Sequence, residues 1–220
     1  MKTTKKKKAS KAAESAVLVL RTSDKKGRGR GGFQWPTSGH VEAPDWVDDG
    51  ECGHGLHGLL WGCGNGRYLS DDHDAIWQVV RVLAADVRDL GEKIKFPRGE
   101  VVFSGDRSGA LAYLDAHGGA DRPVVYAART AGNCGTATAG YYGHATVGDY
   151  GIATAGNGGT ATAGDWGHAT AGDWGTISIR WWDAAAERGR VATGYVGENG
   201  IEADTAYKLD DKGRFVKDTP

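Results

Sequence analysis

The densest set of reactive side chains is Glu51-Cys52-Gly53-His54-Gly55-Leu56-His57, followed by Cys63. Cys52, His54, His57 and Cys63 together offer two thiolates and two imidazoles, the ligand set of a structural zinc, which is the one cofactor these residues suggest. Their spacing, C-x-H-x2-H-x5-C, is not among the common zinc spacings. A packed loop therefore competes with the metal site, and a Cys–His nucleophile pair is a third reading. If this region is catalytic, His57 is the first candidate residue and Arg21, on an expected strand, the second. Asp71-Asp72-His73-Asp74 is rich in potential ligands but immediately precedes an expected strand and reads as a solvated loop. Gly105-Asp106-Arg107-Ser108-Gly109 reads as a glycine-bounded turn, without the Lys-Ser/Thr of a phosphate-binding loop.

The elements that would position these groups are dominated by a repeat. Arg129 to Thr176 divides into the octads RTAGNCGT, ATAGYYGH, ATVGDYGI, ATAGNGGT, ATAGDWGH and ATAGDWGT. Thr holds the second place throughout, at 130, 138, 146, 154, 162 and 170, and Gly holds the fourth and seventh. A fixed short period marks a solenoid or array. Two glycines in eight, each costing ~1 kcal/mol relative to Ala, argue against helix. A short strand and a tight glycine turn per octad make a 16-residue coil of two octads. About three such coils stack at ~4.8 Å as a narrow parallel β-roll. The two-residue period of a strand puts Ala137 and Ala139 on one face and Thr136 and Thr138 on the other. Alanine inside lets the two sheets approach closely; the reverse, threonine inside with hydroxyls paired between coils, stays open.

Sixteen-residue spacing stacks Tyr142, Gly158 and Trp174 along one edge and Cys134, Tyr150 and Trp166 along the other. Such aromatic ladders would stabilise the turns or form a sticky exposed edge. Thr-x-Thr arrays on a flat solenoid face resemble ice-binding proteins. Such pairs are found at Thr136/Thr138 and Thr160/Thr162, while His144, Ile152 and His168 interrupt the array, which weighs against that activity. The pairs Gly148-Asp149, Gly164-Asp165 and Gly172-Asp173 resemble calcium-binding β-rolls. The period of eight, and the Asn or Tyr at the same place in other octads, favour ordinary turn residues instead.

The expected fold class is mainly β: a short parallel solenoid with an N-terminal α/β module and a C-terminal β cap. Residues 1–15 are expected to be a disordered basic arm, 16–120 the α/β module, 121–180 the solenoid and 181–220 the cap. Strands are expected at Ala16–Thr22, Ile76–Leu83, Val101–Phe103, Ile177–Trp182 and Val191–Val196. A hairpin joins Tyr207–Leu209 to Arg214–Val216. Gly109–His117 and Ala184–Arg188 are expected to be short helical pieces, and Gly31–Val47 an aromatic loop.

Of the 220 residues, 27 are Lys or Arg and 28 Asp or Glu, a net charge of -1, which excludes a uniformly basic nucleic-acid coat. The first thirty residues are nevertheless strongly basic, with Lys5, Lys6, Lys7 and Lys8 in one run. A solubilising tail and a weak, salt-sensitive nucleic-acid contact both fit that run. No stretch is apolar over membrane length. Three cysteines, an odd and sparse set, are not a secreted disulfide framework, so the expectation is a cytoplasmic protein without a membrane partner.

The octads, the Ile177–Asp183 strand and the closing VGENGIEADTAYKLDDKGRFV resemble an uncharacterised family of bacteria and phages. Its members carry Gly-Asp-x-Ser-Ala-Ala-type octapeptide repeats and a cap ending in a Tyr-x-Leu … Phe-Val hairpin. Cys52 and His57, with Gly31-Gly32-Phe33-Gln34, resemble the family's Cys-x4-His and Gly-Phe-Gln segments. The resemblance implies a phage or prophage origin, which makes interference with a host factor the expectation. The resulting expectation is a non-enzymatic repeat scaffold that binds a protein partner, with a homo-oligomer left open. Its candidate anchors are Trp35, Trp46, Trp61, Tyr142, Tyr150, Trp166 and Trp174. Two alternatives accompany it: a small enzyme, ADP-ribosyltransferase-like or zinc-dependent, in the N-terminal module, and nucleic-acid association through the basic arm.

Overall fold

The computed structural model describes residues 15–218, and the basic run Lys5–Lys8 lies outside them. The chain divides into two compact units, one running to Trp61 and from Tyr68 to Leu114, the other comprising Gly62–Arg67 and the chain from Asp115 onward.

The first unit is built on seven strands: β1 Ala16–Ser23, β2 Gly39–Glu42, β3 Leu56–Leu60, β4 Ile76–Leu83, β5 Arg88–Asp89, β6 Ile94–Phe96 and β7 Arg98–Gly105. Their order in the sheet is β2-β7-β4-β1-β3-β6-β5, with antiparallel neighbours. The β-branched runs AVLVLRTS and IWQVVRVL pair over eight residues, Ala16 opposite Leu83 to Ser23 opposite Ile76, and form its centre. Val19, Val80, Phe96 and Val101 are buried in its core.

The helix α1, Arg107–Leu114, follows β7 and buries Ala110 and Leu114. It begins two residues before the expected Gly109 because Asp106 is its N-cap. The Asp106 carboxylate accepts the Gly109 N–H at 2.7 Å and the Ser108 hydroxyl at 3.0 Å. The glycine-bounded turn read at 105–109 is therefore a helix start.

The second unit contains the solenoid strands β8 Ala128–Ala131, β9 Thr136–Ala139, β10 His144–Val147, β11 Ile152–Ala155, β12 Thr160–Ala163, β13 His168–Ala171 and β14 Thr176–Asp183. The closing strands are β15 Arg188–Tyr195, β16 Tyr207–Leu209 and β17 Phe215–Lys217. Successive octads alternate between two sheets, ordered β15-β14-β12-β10-β8 and β17-β16-β13-β11-β9. Solenoid neighbours are parallel and offset by sixteen residues, as in Ala145 opposite Ala161 and Ala153 opposite Ala169. This is the expected β-roll, mainly β in class.

The core settles which face is inside. Ala137, Ala139, Ala145, Ala153, Ala155, Ala161, Ala163, Ala169 and Ala171 are buried together with Val147, Ile177 and Ile179. A methyl side chain fills little space, so the sheets are held close. Threonine faces outward.

The octad glycines serve close approach. A Cβ on the seventh-place Gly135, Gly143, Gly151, Gly167 or Gly175 would lie 2.6–2.7 Å from the β-carbon of the third-place residue in its own octad. The left-handed backbone falls at the sixth place instead, at Cys134, Tyr142, Tyr150, Trp166 and Trp174, with φ between 51° and 60°. These turns thus hold bulky residues in a conformation that costs an L-residue ~1–2 kcal/mol. Each is closed by a hydrogen bond from the seventh-place N–H to the fourth-place carbonyl, 3.0 Å from Gly175 to Gly172. The turns at Cys134, Tyr142 and Tyr150 are also tied to the next coil, the Tyr150 N–H donating to the Asp165 carbonyl at 2.9 Å.

The end of the solenoid is covered by antiparallel strands. β15 pairs with β14 from Thr176–Tyr195 to Asp183–Arg188, and β16 joins β13 at Ala169–Tyr207. The expected helical piece at Ala184–Arg188 is the reversal between β14 and β15. The Asp183 carboxylate accepts the Ala185 and Ala186 N–H groups there, both at 3.1 Å.

Candidate functional site: outward hydroxyl rows

Parallel, in-register stacking turns the invariant second-place threonine into rows running across strands. On one sheet Thr130, Thr146, Thr162 and Ser178 occupy successive strands at matched register. On the other the row is Thr138, Thr154 and Thr170. Strand spacing sets ~4.8 Å between neighbours within a row. A second row at the eighth place lies two residues away along the strand, ~6.6 Å. On the first sheet it reads Ala128, His144, Thr160, Thr176, and on the second Thr136, Ile152, His168. Thr160, Thr162, Thr176 and Ser178 therefore form a two-by-two hydroxyl patch. The Ser178 hydroxyl lies 3.2 Å from that of Thr193, carrying the row into β15. Counting Thr-x-Thr pairs within single strands missed these rows; the signal was the sixteen-residue recurrence itself.

The turns keep this lattice rigid. The Asn133 side chain accepts the Asp149 N–H at 3.0 Å, Asp149 accepts from Asp165 at 2.9 Å, and Asn157 accepts from Asp173 at 3.2 Å. Fifth-place Asp and Asn are thus used as a ladder between coils, which explains why they interchange. Val124-Val125-Tyr126-Ala127 supplies one further turn before the first octad, with Tyr126 at φ 59°. The Tyr126 N–H donates to the Tyr141 carbonyl at 2.8 Å, and its ring stacks on Tyr142 with centroids 6.1 Å apart. That turn was hidden because Ala127 replaces the seventh-place glycine. Gly62–Arg67 follows the same edge. The Arg67 guanidinium sits 5.5 Å from the Trp174 ring centre, and the Val125 N–H donates to the Gly62 carbonyl at 2.9 Å.

The candidate anchors fare unequally. Tyr142, Tyr150, Trp166 and Trp174 are exposed, the two tryptophans by 65% and 68%. Trp35 is only 5% exposed, its ring covered by Arg21 at 3.5 Å, and so presents no surface to a partner. Trp46 is half-buried, with the Lys95 ammonium 5.4 Å from its ring, and Trp61 is half-buried at φ 55°.

Among the described residues no three His, Cys, Asp or Glu side chains converge as a metal site, so Cys52, His54, His57 and Cys63 are not brought together as one. Cys52 and His54 are exposed, and His54 Nδ1 lies 3.6 Å from an Asp45 oxygen. Cys63 belongs to the second unit, where burial pushes its thiol pKa up and Arg122 and Arg129 only partly oppose it. A thiol held neutral in this way is a poor nucleophile or ligand. Arg21 and His57 do share a place, both lining a cavity of about 730 Å³ in the first unit.

The fold and its faces define a class: a short two-sheet parallel β-solenoid, one octad per strand, with hydroxyl rows outside. The chain is similar to bacterial ice nucleation proteins. It is 43% identical over 102 residues to one from Pseudomonas syringae, covering 46% of this chain and 8% of that protein. It is 43% identical over 103 residues to one from Xanthomonas campestris pv. translucens, covering 46% and 7%. It is 38% identical over 106 residues to InaU of Pantoea ananas, covering 47% and 10%. The chain thus spans a tenth or less of the length of these curated relatives. No protein-family model matches it, and no solved structure does.

These relatives overturn two expectations. The host-factor-binding scaffold is not what the relatives support, since those proteins are named for ice nucleation. The cytoplasmic placement is overturned as well. It rested on scarce cysteine, which shows only that the fold needs no disulfide framework and carries no information on compartment.

Proposed function

We propose that this chain orders water as an ice-nucleating repeat protein, or as part of one, with the outward faces of the solenoid as the template. The observation that carries the reading is the register-matched hydroxyl row, Thr130-Thr146-Thr162-Ser178, with Thr160 and Thr176 beside it. Its physical basis is entropic. A crystal nucleus must immobilise many waters at once, and a row of hydroxyls on a stiff sheet holds the first layer at fixed spacing. The β-branch of threonine keeps χ1 restricted, so the hydroxyls are themselves pre-ordered. The flanking methyls shed water sideways without competing for its hydrogen bonds. The octad period supports the same reading, because an octad per strand is what places one threonine per strand at one height.

The test is droplet freezing of the purified full chain beside a Thr146→Val, Thr162→Val, Thr154→Val variant. Valine keeps the branch and the strand preference and removes only the hydroxyl. The native chain should raise the median freezing temperature above that of buffer, and the folded variant should lose most of the rise. A variant that keeps its solenoid signature and still nucleates like the native chain would refute the hydroxyl template.

A further inference from the structure

The cavity of the first unit is the feature that ice ordering leaves unused. Its volume, about 730 Å³, lies within the ~300–1,000 Å³ typical of small-molecule sites. Arg21 on β1 lines the cavity and is only 6% exposed. The guanidinium donates to Gln78 Oε1 and, at 2.6 Å, to the Thr22 carbonyl, and lies over the Trp35 ring. All of these partners are neutral, and no carboxylate pairs with Arg21 among the described residues. Burial alone drives its pKa down to about 9. A buried cation without a counter-charge is costly to keep, and an anionic ligand is what would offset that cost.

The rest of the wall agrees with this. Arg30 and Lys93 add two positive charges against the single carboxylate of Asp45. Gly29 has no room for a side chain, since a Cβ there would sit 2.9 Å from Trp35 Nε1 and 3.2 Å from Arg21 Nη2. His57 Nε2 is buried against the cavity without a hydrogen-bond partner. The hydrogen bond His57 makes to the Gly55 backbone must then be through Nδ1, which places the proton there and leaves Nε2 an acceptor. Burial and the nearby Lys93 lower the imidazole pKa, which keeps it neutral. The site thus offers a buried cation, two further positive charges in its wall and one buried acceptor.

We propose that this cavity binds a small hydroxyl-bearing anion of sugar-phosphate or nucleotide type, its anionic group on Arg21 and a hydroxyl donating to His57 Nε2. The inference is independent of the water-ordering role of the solenoid.

Calorimetric titration of the full chain tests it with ADP, ribose 5-phosphate, inorganic phosphate and adenosine. ADP and ribose 5-phosphate should bind one to one, at least tenfold tighter than adenosine, with inorganic phosphate weaker than either. Comparable affinity for the two organic phosphates assigns the site to the shared sugar-phosphate group; tenfold preference for ADP assigns it to nucleotides. His57→Phe, which keeps the ring volume, should weaken ribose 5-phosphate about fivefold and leave inorganic phosphate unchanged. Arg21→Gln should abolish anion binding. If that variant does not fold, Lys93→Ala in the cavity wall should weaken ADP two- to fivefold. No binding of any anionic probe at millimolar concentration, or adenosine matching ADP, overturns the proposal.

Discussion

Two glycines at the same place in the octad should respond in opposite directions to the same substitution. Gly164 and Gly132 both hold the fourth place, but a complete coil precedes only the first of them. A Cβ on Gly164 would lie 2.6 Å from the Asp149 nitrogen and 2.7 Å from the Gly148 carbonyl carbon, backbone atoms that cannot swing aside. A Cβ on Gly132 would meet nothing within 4 Å. Neither glycine has positive φ, so alanine suits both backbones. Gly164→Ala should therefore cost about 1–3 kcal/mol in overpacking. Displacing the Asp149 carboxylate from the Asp165 N–H would add about 0.5–1.5 kcal/mol. Gly132→Ala should instead gain about 0.4–1 kcal/mol by restricting the unfolded chain. At ~2–4 °C per kcal/mol for a chain of this size, the two variants should melt about 4–22 °C apart. Unfolding followed by tryptophan fluorescence reads the difference, with Trp166 and Trp174 on the solenoid turns as reporters. If both variants fall together, or Gly132→Ala is the worse, coil-on-coil approach is not the reason for the repeat glycine.

Further expectations concern the ladder, the core and the cap. Asp149→Asn should be nearly neutral, because an amide oxygen accepts the Asp165 N–H as Asn133 already accepts that of Asp149; Asp149→Ala should cost about 1 kcal/mol in denaturant midpoint. Ala161→Leu, at a fully buried place between the two sheets, should cost about 1–3 kcal/mol or prevent folding, which circular dichroism would show. Asp210 binds the N–H groups of Lys212 and Arg214 and the Arg214 guanidinium, and these bonds hold its pKa down at about 2. Its folded pKa lies below the unfolded value of 3.8, so its contribution to the β16–β17 hairpin is complete above pH ~4 and fades as pH falls through ~2. Amide signals of Tyr207–Lys217 in an acid titration should follow that window, and Asp210→Asn should remove it.

The solenoid was legible because its period carries both strand and turn. Ala-Thr-Ala is long enough to alternate faces once, and alanine against threonine leaves size to decide which face is inside. The turn was legible in place but not in kind. Its left-handed residue is an aromatic, whereas the glycines answer to neighbours sixteen residues away that no local propensity registers. The N-terminal sheet was read at β1, at β4 and at Val101–Phe103 within β7, whose β-branched runs announce themselves. β3 was hidden because Leu56-His57-Gly58-Leu59-Leu60 looks like the tail of a cysteine–histidine loop. Gly58 is there because β1 passes so close that a Cβ would lie 2.7 Å from the Leu20 carbonyl oxygen. His57 and Arg21 were picked for chemical type, and the cavity they share is a product of strand order. The lysine that anchors the neighbouring loop was missed altogether. Lys95 is fully buried, pairs with Asp49 and donates to the Glu51 carbonyl at 2.8 Å, and nothing in Ile-Lys-Phe marks it as inward-facing.

Alternation of octads between two sheets also imposes a parity on how such a gene can lengthen. The strand bearing the cap belongs to the same sheet as β8, β10 and β12, and its Ser178–Thr193 junction prolongs the threonine row of that sheet. A duplication of sixteen codons adds one coil and returns every later strand to its own sheet. A duplication of eight would carry the cap to the opposite face and set the other family of turns beneath Arg67. Unequal recombination among these near-identical octads should therefore leave viable descendants that differ by whole pairs, so the water-facing area grows in steps of a coil.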